Sequence, residues 1–488
     1  MTGSDTFLGL DLGTSGLRGL LTTSDGAVIG SAEAVYAVDR PHPGWSEQNP
    51  DDWRDALKRV VDTLGETHGA AFSRLAGIAV SGHMHGAVLL GADNAVLRPC
   101  ILWNDTRSHA EAAVLDAKPD VRAVSGNIVF PGFTAPKLAW IARNEPDVFL
   151  RTAKVLLPKD FMTFHLTGDH VGDMSDAAGT SWLDVGARAW SPRLLELCGM
   201  RVDQMPRLVE GTQTAGTLRP DLARAWGLDH PVVVAGGGGD NAAAACGVGA
   251  LSEGEAFVSL GTSGVLLAAR DSFAPQPDTA VHTFCHAVPE RWYQMGVILA
   301  ATDSLNWLGR QLGQDPADLT AALGDTIADP GAVQFLPYIS GERTPHNDSA
   351  VRGAFLNLDV SNEPSDLTRA VLEGVAFALR DSLEALAATG ARIDRLLGVG
   401  GGTQSLYWVE LLATVLNLPI DLPAEAELGA AMGAARLARC AKTGEAPDAV
   451  MLKPKIAQTV QPREALVDAY ASAYANWRKL YPLLKQAT

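Results

Sequence analysis

Two aspartates stand where short apolar segments end, next to small residues that leave room for a ligand. Asp240 follows an apolar run and the four glycines Gly236–Gly239, and an alanine-rich segment comes next. A carboxylate at the end of a strand can take the proton of a hydroxyl group that attacks phosphorus, which makes Asp240 a candidate general base. An aspartate before an alanine run can also cap the helix that the run forms, and the two roles are compatible.

Asp11 lies directly before the segment Leu12–Gly16, whose sequence is LGTSG. The two glycines allow tight backbone geometry, while backbone N–H groups and the hydroxyls of Thr14 and Ser15 supply neutral donors for phosphate oxygens. A bare carboxylate would repel phosphate, so Asp11 fits beside this loop as a ligand of Mg²⁺, directly or through water. The alternative is an aspartate that only stabilises a turn.

The same five residues recur as Leu260–Gly264, half the chain length later. Each copy lies between two short apolar runs, which is the pattern of two strands joined by a tight turn. The alternative is a turn sequence that recurs by chance. We predict two α/β domains of similar plan, residues 1–250 and 251–488, that face each other across a cleft.

Two common nucleotide-binding signatures are missing. The LGTSG segments lack the lysine of a P-loop, and neither Gly236–Gly239 nor Gly400–Gly402 has the spacing of a Rossmann fingerprint. The cluster Gly398–Gly402 precedes a helical pattern from Ser405 to Leu416, so its backbone could approach a flat ring closely. A simple strand-to-helix turn is the alternative there.

Composition narrows the classes of partner. The 488 residues include 39 basic and 56 acidic side chains, and the net charge of −17 opposes binding to nucleic acid or anionic lipid. The five cysteines are widely spaced without a C-x-x-C pair, which predicts neither a disulfide framework nor a zinc site. With no leader pattern and no apolar run long enough to cross a bilayer, we expect a soluble cytoplasmic protein.

Amphipathic patterns predict helices between the strands, at Asp52–Thr67, Leu367–Ala388 and Glu464–Gln486. Stretches rich in proline and glycine, Arg40–Pro50 and Pro337–His346, predict ordered surface loops. The second of them is a candidate for the rim of the cleft. The segment after Lys442 carries no motif.

These features together resemble the FGGY carbohydrate kinases, from about Phe7 to about Ala438. Residues 132–140 fit the first family signature, and residues 353–373 fit the second except at Asn357, where the pattern expects glycine. His83 is a second departure, since glutamine is common before Met-His-Gly. Further strings shared with one branch of the family are HMHG at 83–86, LRPCILWND at 97–105, LLPKD at 156–160, DMSDAAGT at 173–180, GGGGDNAA at 236–243, SLGTSG at 259–264 and SGERTPH at 340–346.

The resemblance implies the two-domain actin-like ATPase (ribonuclease H-like) fold, an α/β class, with nucleotide and sugar in the interdomain cleft. It implies that Asp240 is the base and that Asp11 acts through Mg²⁺. The residues expected near the ATP phosphates are Thr14, Ser15, Gly261 and Thr262, and those near the adenosine are Gly401, Gly402 and Ser405. The residues expected against the sugar are Met84, His85, Trp103, Asp240 and Asn241.

The expected reaction is transfer of the γ-phosphoryl group of ATP to a small ketose, D-xylulose first, with L-ribulose, D-ribulose and other acceptors left open. A non-metabolic actin-like ATPase is the alternative from another class. The oligomeric state is also open, and a homodimer is one of the states allowed. His83 and His85 would share one face of a strand, but a metal between them would need a third ligand that the sequence does not indicate.

Overall fold

The computed structural model describes residues 4–424 and 429–487, and its framework is two seven-stranded sheets. The strands of the first sheet are Thr6–Leu12, Gly16–Thr23, Val28–Val35, Leu75–Gly82, Thr214–Thr217, Val233–Ala235 and Gly238–Gly239. The strands of the second sheet are Ala256–Leu260, Gly264–Arg270, His282–Cys285, Trp292–Ile298, Leu396–Val399, Ile420–Pro423 and Ile456–Val460.

The two sheets share one plan. Strand Thr6–Leu12 pairs antiparallel with the strand after it and parallel with Leu75–Gly82. Strand Ala256–Leu260 likewise pairs antiparallel with the strand after it and parallel with Leu396–Val399. Both LGTSG segments are therefore turns of hairpins at corresponding places, which confirms the prediction of two strands joined by a tight turn at each copy.

Short paired strands and helices complete the molecule. The short pairs are Glu47–Gln48 with Cys100–Ile101, Val88–Leu90 with Lys154–Leu156, Val171–Asp173 with Arg207–Val209, Leu183–Asp184 with Ala189–Trp190, and Gln334–Leu336 with Ala354–Leu356. The α-helices before residue 250 are Pro50–Phe72, His109–Asp116, Val121–Ser125, Thr134–Asn144, Pro146–Arg151, Pro158–Thr167, Met174–Ala177, Pro192–Glu196, Pro220–Ala225 and Asp240–Val248. The later α-helices are Thr302–Leu312, Pro316–Ala321, Pro364–Ala388, Leu406–Leu416, Ala430–Thr443, Pro447–Val450, Glu464–Trp477 and Leu480–Ala487.

Helix Ala430–Thr443 comes from the second half of the chain but packs on the first sheet. A side chain on Gly9 would lie 1.8 Å from the carbonyl oxygen of Ala431, and one on Gly433 would lie 1.7 Å from that of Ala243. Only glycine permits such close backbone approaches. The first sheet and the second half of the chain are thus joined by direct packing as well as by the connection near residue 250.

The amphipathic helices occur where the patterns predict them, with longer or divided boundaries. The first runs over Pro50–Phe72 and the second over Pro364–Ala388, while the third divides into Glu464–Trp477 and Leu480–Ala487. Three aromatic side chains of the C-terminal segment are buried: Tyr470, Tyr474 and Trp477. This segment belongs to the core of the second domain.

The prediction of surface loops is confirmed for much of the first stretch and is wrong for most of the second. Residues 40–44 are exposed and residues 46–48 are buried, whereas from Pro337 to His346 only Ser340 is exposed. Glu47 lies in a short strand and is 2.7 Å from a guanidinium nitrogen of the buried Arg107. In the second stretch Glu342 and Thr344 are 2% and 1% exposed. Polar groups in these stretches have partners inside the protein, which proline and glycine content does not reveal. Among the described residues, no helix combines the length and the apolar character that crossing a bilayer requires.

Candidate active site

Three strands of the first sheet end at one edge and bring the two candidate carboxylates together. The parallel register places Asp11 beside Ser81 and Ser81 beside Gly238. Asp240 follows as the first residue of helix Asp240–Val248. The hydroxyl of Ser81 donates to Asp11 Oδ1 at 3.3 Å, and burial raises the pKa of Asp11. Ligands of α/β sheets bind at such carboxyl edges, so this edge is the candidate site.

Asp240 has one carboxylate oxygen engaged and one open. Oδ1 accepts the backbone N–H of Asn241 at 2.7 Å and its side-chain amide at 2.9 Å. Oδ2 makes no hydrogen bond within residues 4–424 and 429–487. Burial, together with the negative charge of Asp11, raises the pKa of Asp240 to about 7. The N-cap of the helix is Gly239 rather than Asp240, so the capping alternative is wrong, and the Asp240 carboxylate leaves one oxygen open.

A buried network holds the glycine segment that carries Asp240. Lys159 Nζ donates to the carbonyl oxygen of Gly236 at 3.1 Å, and Ser175 Oγ accepts the N–H of Gly239 at 3.0 Å. Asp173 joins the two, because it lies 2.8 Å from Lys159 Nζ and accepts the hydroxyl of Ser175. Glycines have no side chains to lock their position, so these hydrogen bonds fix where the segment ends. The strings LLPKD and DMSDAAGT contain these residues, but sequence reasoning assigned them no role.

Three aspartates of this network approach within 4.8 Å of one another: Asp160, Asp173 and Asp176. The ammonium group of Lys159 lies where a metal ion bound by these aspartates would lie, since its Nζ is 2.5 Å from Asp160 and 2.8 Å from Asp173. Burial and the neighbouring charge of Asp160 raise the pKa of Asp176 well above its ordinary value. The cluster supports the glycine segment through the hydrogen bonds of Lys159 and Ser175.

The first LGTSG turn is braced through its carbonyl groups. Gly13 N–H donates to Gly16 at 2.9 Å, the Tyr36 hydroxyl donates to the Gly13 carbonyl at 2.6 Å, and the Gln48 amide donates to the Thr14 carbonyl at 2.7 Å. Because the protein engages the acceptors of the loop, its N–H groups and hydroxyls are the groups left for an anion. Ser15 is exposed.

The second LGTSG turn is braced in the same way by the start of helix Thr302–Leu312. The carbonyl of Gly261 accepts the N–H of Thr302 at 3.0 Å, and that of Thr262 accepts the N–H of Ala301 at 2.8 Å. The two turns therefore offer an anion the same kind of backbone surface from the two domains.

A cavity of about 700 Å³ beside the second turn brings together the three residues expected near adenosine. Gly401 faces open space, since a side chain there would meet nothing within 4 Å, whereas Gly400 has φ +93° and abuts the Leu260 carbonyl. Ser405 Oγ accepts the N–H of Trp408 at 3.3 Å and caps helix Leu406–Leu416. The residues that line the cavity include Gly401, Gly402, Ser405, Thr302, Leu305, Asn306 and Gln404. A cavity of this size accepts a nucleoside.

His85 presents one ring nitrogen to a ligand. Its Nδ1 lies 2.7 Å from the carbonyl oxygen of Gly179, and its ring stacks on Phe133 with centroids 4.3 Å apart. Burial lowers the pKa of His85 to about 3, so the ring is neutral and Nδ1 carries the proton. Nε2, a hydrogen-bond acceptor, has no partner within the described part of the chain.

The backbone at His85 adopts φ +72°, which is uncommon for a residue with a side chain. Its carbonyl oxygen accepts hydrogen bonds from Thr134 Oγ1 at 3.1 Å and from Lys137 Nζ at 2.7 Å. These bonds hold the strained conformation in place. Lys137 is fully buried, and burial lowers its pKa to about 7.

Met84 and Trp103 are two more residues expected against the sugar. Together with His85 they form the candidate sugar wall. Met84 packs against Gly239, directly before Asp240, and its sulfur accepts the hydroxyl of Tyr293 at 3.8 Å. Trp103 is 38% exposed and its indole N–H donates to Thr14 Oγ1 at 3.0 Å, beside the first phosphate turn. The indole face is thus available to a ligand that lies between the turn and Asp240.

The expectation that His83 and His85 lie on one face of a strand is wrong. The strand ends at Gly82, and the positive φ of His85 turns the chain. His83 is 3% exposed and packs edge-on against Trp53, while His85 stacks on Phe133. Burial lowers the pKa of His83 to about 3. The two rings have separate surroundings and form no shared metal site.

Residues 6–247 match the N-terminal domain of the FGGY family of carbohydrate kinases, and residues 256–441 match its C-terminal domain. This chain belongs to that family. The FGGY kinase is 44% identical to the xylulose kinase of Escherichia coli (strain K12), over 98% of this chain and 99% of that one. Its structure superposes with a TM-score of 0.97 on the crystal structure of a xyloylose kinase from Brucella ovis, which is 54% identical and matches 99% of this chain and 100% of that one. A xylulose kinase from Rhodospirillum rubrum gives a TM-score of 0.91 at 30% identity, with 99% of each chain covered.

The FGGY kinase thus has the two-domain actin-like ATPase fold that the sequence resemblance implied, and ATP is its phosphoryl donor. Its departure from the second family signature has a simple explanation. Asn357 has φ +60°, a conformation that glycine adopts freely and asparagine tolerates better than most residues. Its side-chain amide also donates to the carbonyl of Ala332 at 2.9 Å.

Proposed function

We propose that this FGGY kinase transfers the γ-phosphoryl group of ATP to the terminal hydroxyl of D-xylulose, giving D-xylulose 5-phosphate and ADP. The observation that carries the proposal is the carboxylate of Asp240, which keeps one oxygen open and has a pKa raised to about 7. The choice of D-xylulose is supported by the relatives, at 44% and 54% identity over nearly the whole chain. Homodimerisation and a cytoplasmic location stay predictions.

Asp240 acts as the general base of the transfer. Its Oδ2 accepts the proton of the C5 hydroxyl as the oxygen attacks the γ-phosphorus and the bond from phosphorus to the bridging oxygen of ADP breaks. Asn241 keeps Oδ1 occupied, so the carboxylate presents Oδ2 in a fixed direction. Because a hydroxyl is a weak nucleophile, orientation by this carboxylate provides much of the acceleration.

The two LGTSG turns hold the phosphates through backbone N–H groups and through the hydroxyls of Thr14, Ser15 and Thr262. Asp11 fits a Mg²⁺ ion, since its carboxylate lies beside the first turn and is held by Ser81. Bound Mg²⁺ neutralises phosphate charge. Asp11 would supply a hard oxygen ligand to the ion, directly or through water, and its repulsion of the Asp240 carboxylate would then be smaller.

The sugar is oriented by groups of three kinds. His85 Nε2 accepts a hydroxyl proton, the Trp103 ring covers an apolar C–H face, and Met84 closes the wall next to Asp240. Approach of the domains around the filled cleft would exclude water, which could otherwise accept the phosphoryl group in place of the sugar.

The direct test is ADP release by the purified chain with MgATP and a panel of D-xylulose, D-ribulose, L-ribulose, D-fructose and glycerol, with a sugar-free control. We expect the highest kcat/KM for D-xylulose. Preference for another ketose would refute the proposed acceptor, and hydrolysis that no sugar stimulates would refute sugar kinase activity altogether.

The pH dependence of kcat/KM should report Asp240. Only the ionised carboxylate accepts a proton, so kcat/KM for D-xylulose should fall about tenfold per pH unit below the pKa of Asp240 and level off above it. That pKa is about 7 without Mg²⁺ and lower where Mg²⁺ offsets the charge of Asp11, so the measurement at saturating MgATP is a profile from about pH 4.5 to about pH 8.5. A profile that stays flat across this range would contradict the assignment of Asp240 as the base.

Ser175→Ala should displace the glycine segment by removing the acceptor of the Gly239 N–H. We expect kcat to fall about 10- to 100-fold with KM for ATP nearly unchanged, because small misplacement of a reacting group is costly. Ser382→Ala is the matched control, since Ser382 is also a buried helical serine but lies in helix Pro364–Ala388 of the other domain. Equal rates for Ser175→Ala and the control would show that the hydrogen bond has no positioning role.

A further inference from the structure

Arg343 is a cation with too few acceptors around it. Its guanidinium has five N–H donors, and within residues 4–424 and 429–487 its side chain has a single hydrogen-bond partner, His282 Nε2 at 3.4 Å. The adjacent carboxylate of Glu342 accepts the backbone N–H groups of Arg343 and Leu299 instead, at 2.7 and 3.1 Å. Arg343 is half-buried, so its unfilled donors lie where a ligand could reach them and supply acceptor oxygens.

Arg343 keeps its charge at neutral pH, although within the described residues it forms no salt bridge with a carboxylate. Burial lowers its pKa only to about 10. Burial also raises the pKa of Glu342 to about 8, so that this neighbour is mostly protonated and its Oε2 has no hydrogen-bond partner. The neighbouring imidazole of His282 is neutral too, because burial lowers its pKa well below the ordinary value.

A series of ring contacts links Arg343 to the sugar wall. Starting at the base, Met84 packs on Gly239, His85 follows it in the chain, and the His85 ring stacks on Phe133. Phe133 then packs edge-on against Phe130 at 5.4 Å, and the Arg343 guanidinium lies 4.9 Å from the centre of the Phe130 ring. These contacts join a loop of the second domain to the wall of the first.

The chemistry of this place fits one end of a ketose. The rings around Arg343 offer apolar faces and neutral nitrogens, so its unfilled donors form a fork that matches two neighbouring oxygens. A ketose that presents its C5 hydroxyl to Asp240 places its C1 hydroxyl and C2 carbonyl at the opposite end. A polyol chain without the carbonyl, or a ketose without the C1 hydroxyl, would fill only part of the fork.

We propose that Arg343 is a substrate-specificity residue that donates hydrogen bonds to the C1 hydroxyl and the C2 carbonyl of the ketose. The proposal rests on the proposed sugar kinase function and names a recognition group for it. It also explains why the loop at 337–346 is buried, since its conformation brings Arg343 from the second domain to the sugar wall.

The test compares the wild-type chain with Arg343→Met on D-xylulose and on 1-deoxy-D-xylulose, which lacks the C1 hydroxyl. We expect Arg343→Met to raise KM for D-xylulose about 10- to 100-fold, as for loss of hydrogen bonds to a charged group, with KM for ATP unchanged. The wild type should prefer D-xylulose to the 1-deoxy sugar, and Arg343→Met should lose most of that preference. Arg343→Lys keeps the positive charge but not the paired N–H donors of the guanidinium. Its KM for D-xylulose should lie between those of the wild type and Arg343→Met.

Arg352→Met is the matched control, because Arg352 lies nearby in sequence and its guanidinium contacts the carbonyls of Ser349 and Val351. It should keep the wild-type values. Equal losses on both sugars in Arg343→Met, or an unchanged KM for D-xylulose, would overturn the proposal in favour of a packing role. If Arg343→Met does not fold, Arg343→Lys with the two sugars decides.

The proposed function is tested separately, by ADP release of the wild-type chain with the sugar panel. If another ketose is the preferred acceptor, the same comparison is made with that ketose and its 1-deoxy form. ATP hydrolysis without any sugar requirement would overturn both the function and the role of Arg343.

Discussion

Asp240→Asn should lower kcat for sugar phosphorylation by about 10²- to 10⁴-fold, the range that a general base contributes. The amide cannot accept the hydroxyl proton, although its size and its contacts with Asn241 are close to those of the carboxylate. The affinity for ATP should stay near that of the wild type, because the phosphate turns and the cavity beside Gly401 are unchanged. The measurements are kcat by ADP release and the ATP dissociation constant by calorimetry.

The same substitution should stabilise the fold, which distinguishes it from a change that merely damages the protein. Asp240 has a folded-state pKa of about 7, above the ordinary carboxyl value, so its ionisation opposes folding once the pH exceeds the unfolded pKa. A tenfold difference in proton affinity between the folded and unfolded states corresponds to about 1.4 kcal/mol, and partial exposure reduces the full value. We expect the free energy of unfolding at pH 8 to rise by about 2 kcal/mol, with little change near pH 4.

Asp52→Asn provides the control for both measurements. Asp52 is likewise an acidic residue in the first turn of a helix, Pro50–Phe72, but its side chain is exposed. It should leave kcat and stability near their wild-type values. Wild-type turnover in Asp240→Asn would remove Asp240 from the mechanism, whatever the stability result.

Trp477→Ala should lower the free energy of unfolding by about 3–5 kcal/mol, the usual cost of removing a large buried aromatic side chain. Trp477 is 1% exposed, its indole N–H donates to the Phe335 carbonyl at 2.8 Å, and its ring packs near Phe377 and Tyr338. The substitution creates a cavity and leaves a buried carbonyl without its donor. Denaturant unfolding followed by circular dichroism measures the loss.

Two further variants separate the causes. Trp477→Phe keeps an aromatic ring but removes the hydrogen bond, so it should cost less than Trp477→Ala. Leu483→Ala changes a residue of the last helix that is 61% exposed and should alter stability by less than about 0.5 kcal/mol. If Trp477→Ala unfolds at the same denaturant concentration as Leu483→Ala, the C-terminal helices are not part of the cooperative core.

Sequence patterns predicted those parts of the candidate site that depend on residues close together in the chain. The turns at Leu12–Gly16 and Leu260–Gly264 were predictable because glycines between two apolar runs specify a hairpin wherever they occur. Asp240 was predictable for a similar reason, since a strand, four glycines and an alanine run place its carboxylate at a sheet edge. The adenosine cavity followed only in part: its glycines were evident, but Asn306 and Gln404 come from segments without a motif.

The sequence by itself determined the two-domain plan, the two LGTSG turns and the choice of Asp240 as candidate base, because each depends on residue types within a few positions. Only the tertiary structure decided what supports the base and what surrounds the sugar wall. Lys159 reaches Gly236, His85 reaches Gly179 and Arg343 reaches Phe130 across long stretches of chain. Such contacts arise when elements pack, and packing also sets the burial that shifts the pKa values of Asp240 and His85. No local pattern carries that information, which is why the half-buried Arg343 in SGERTPH first looked like part of a surface loop.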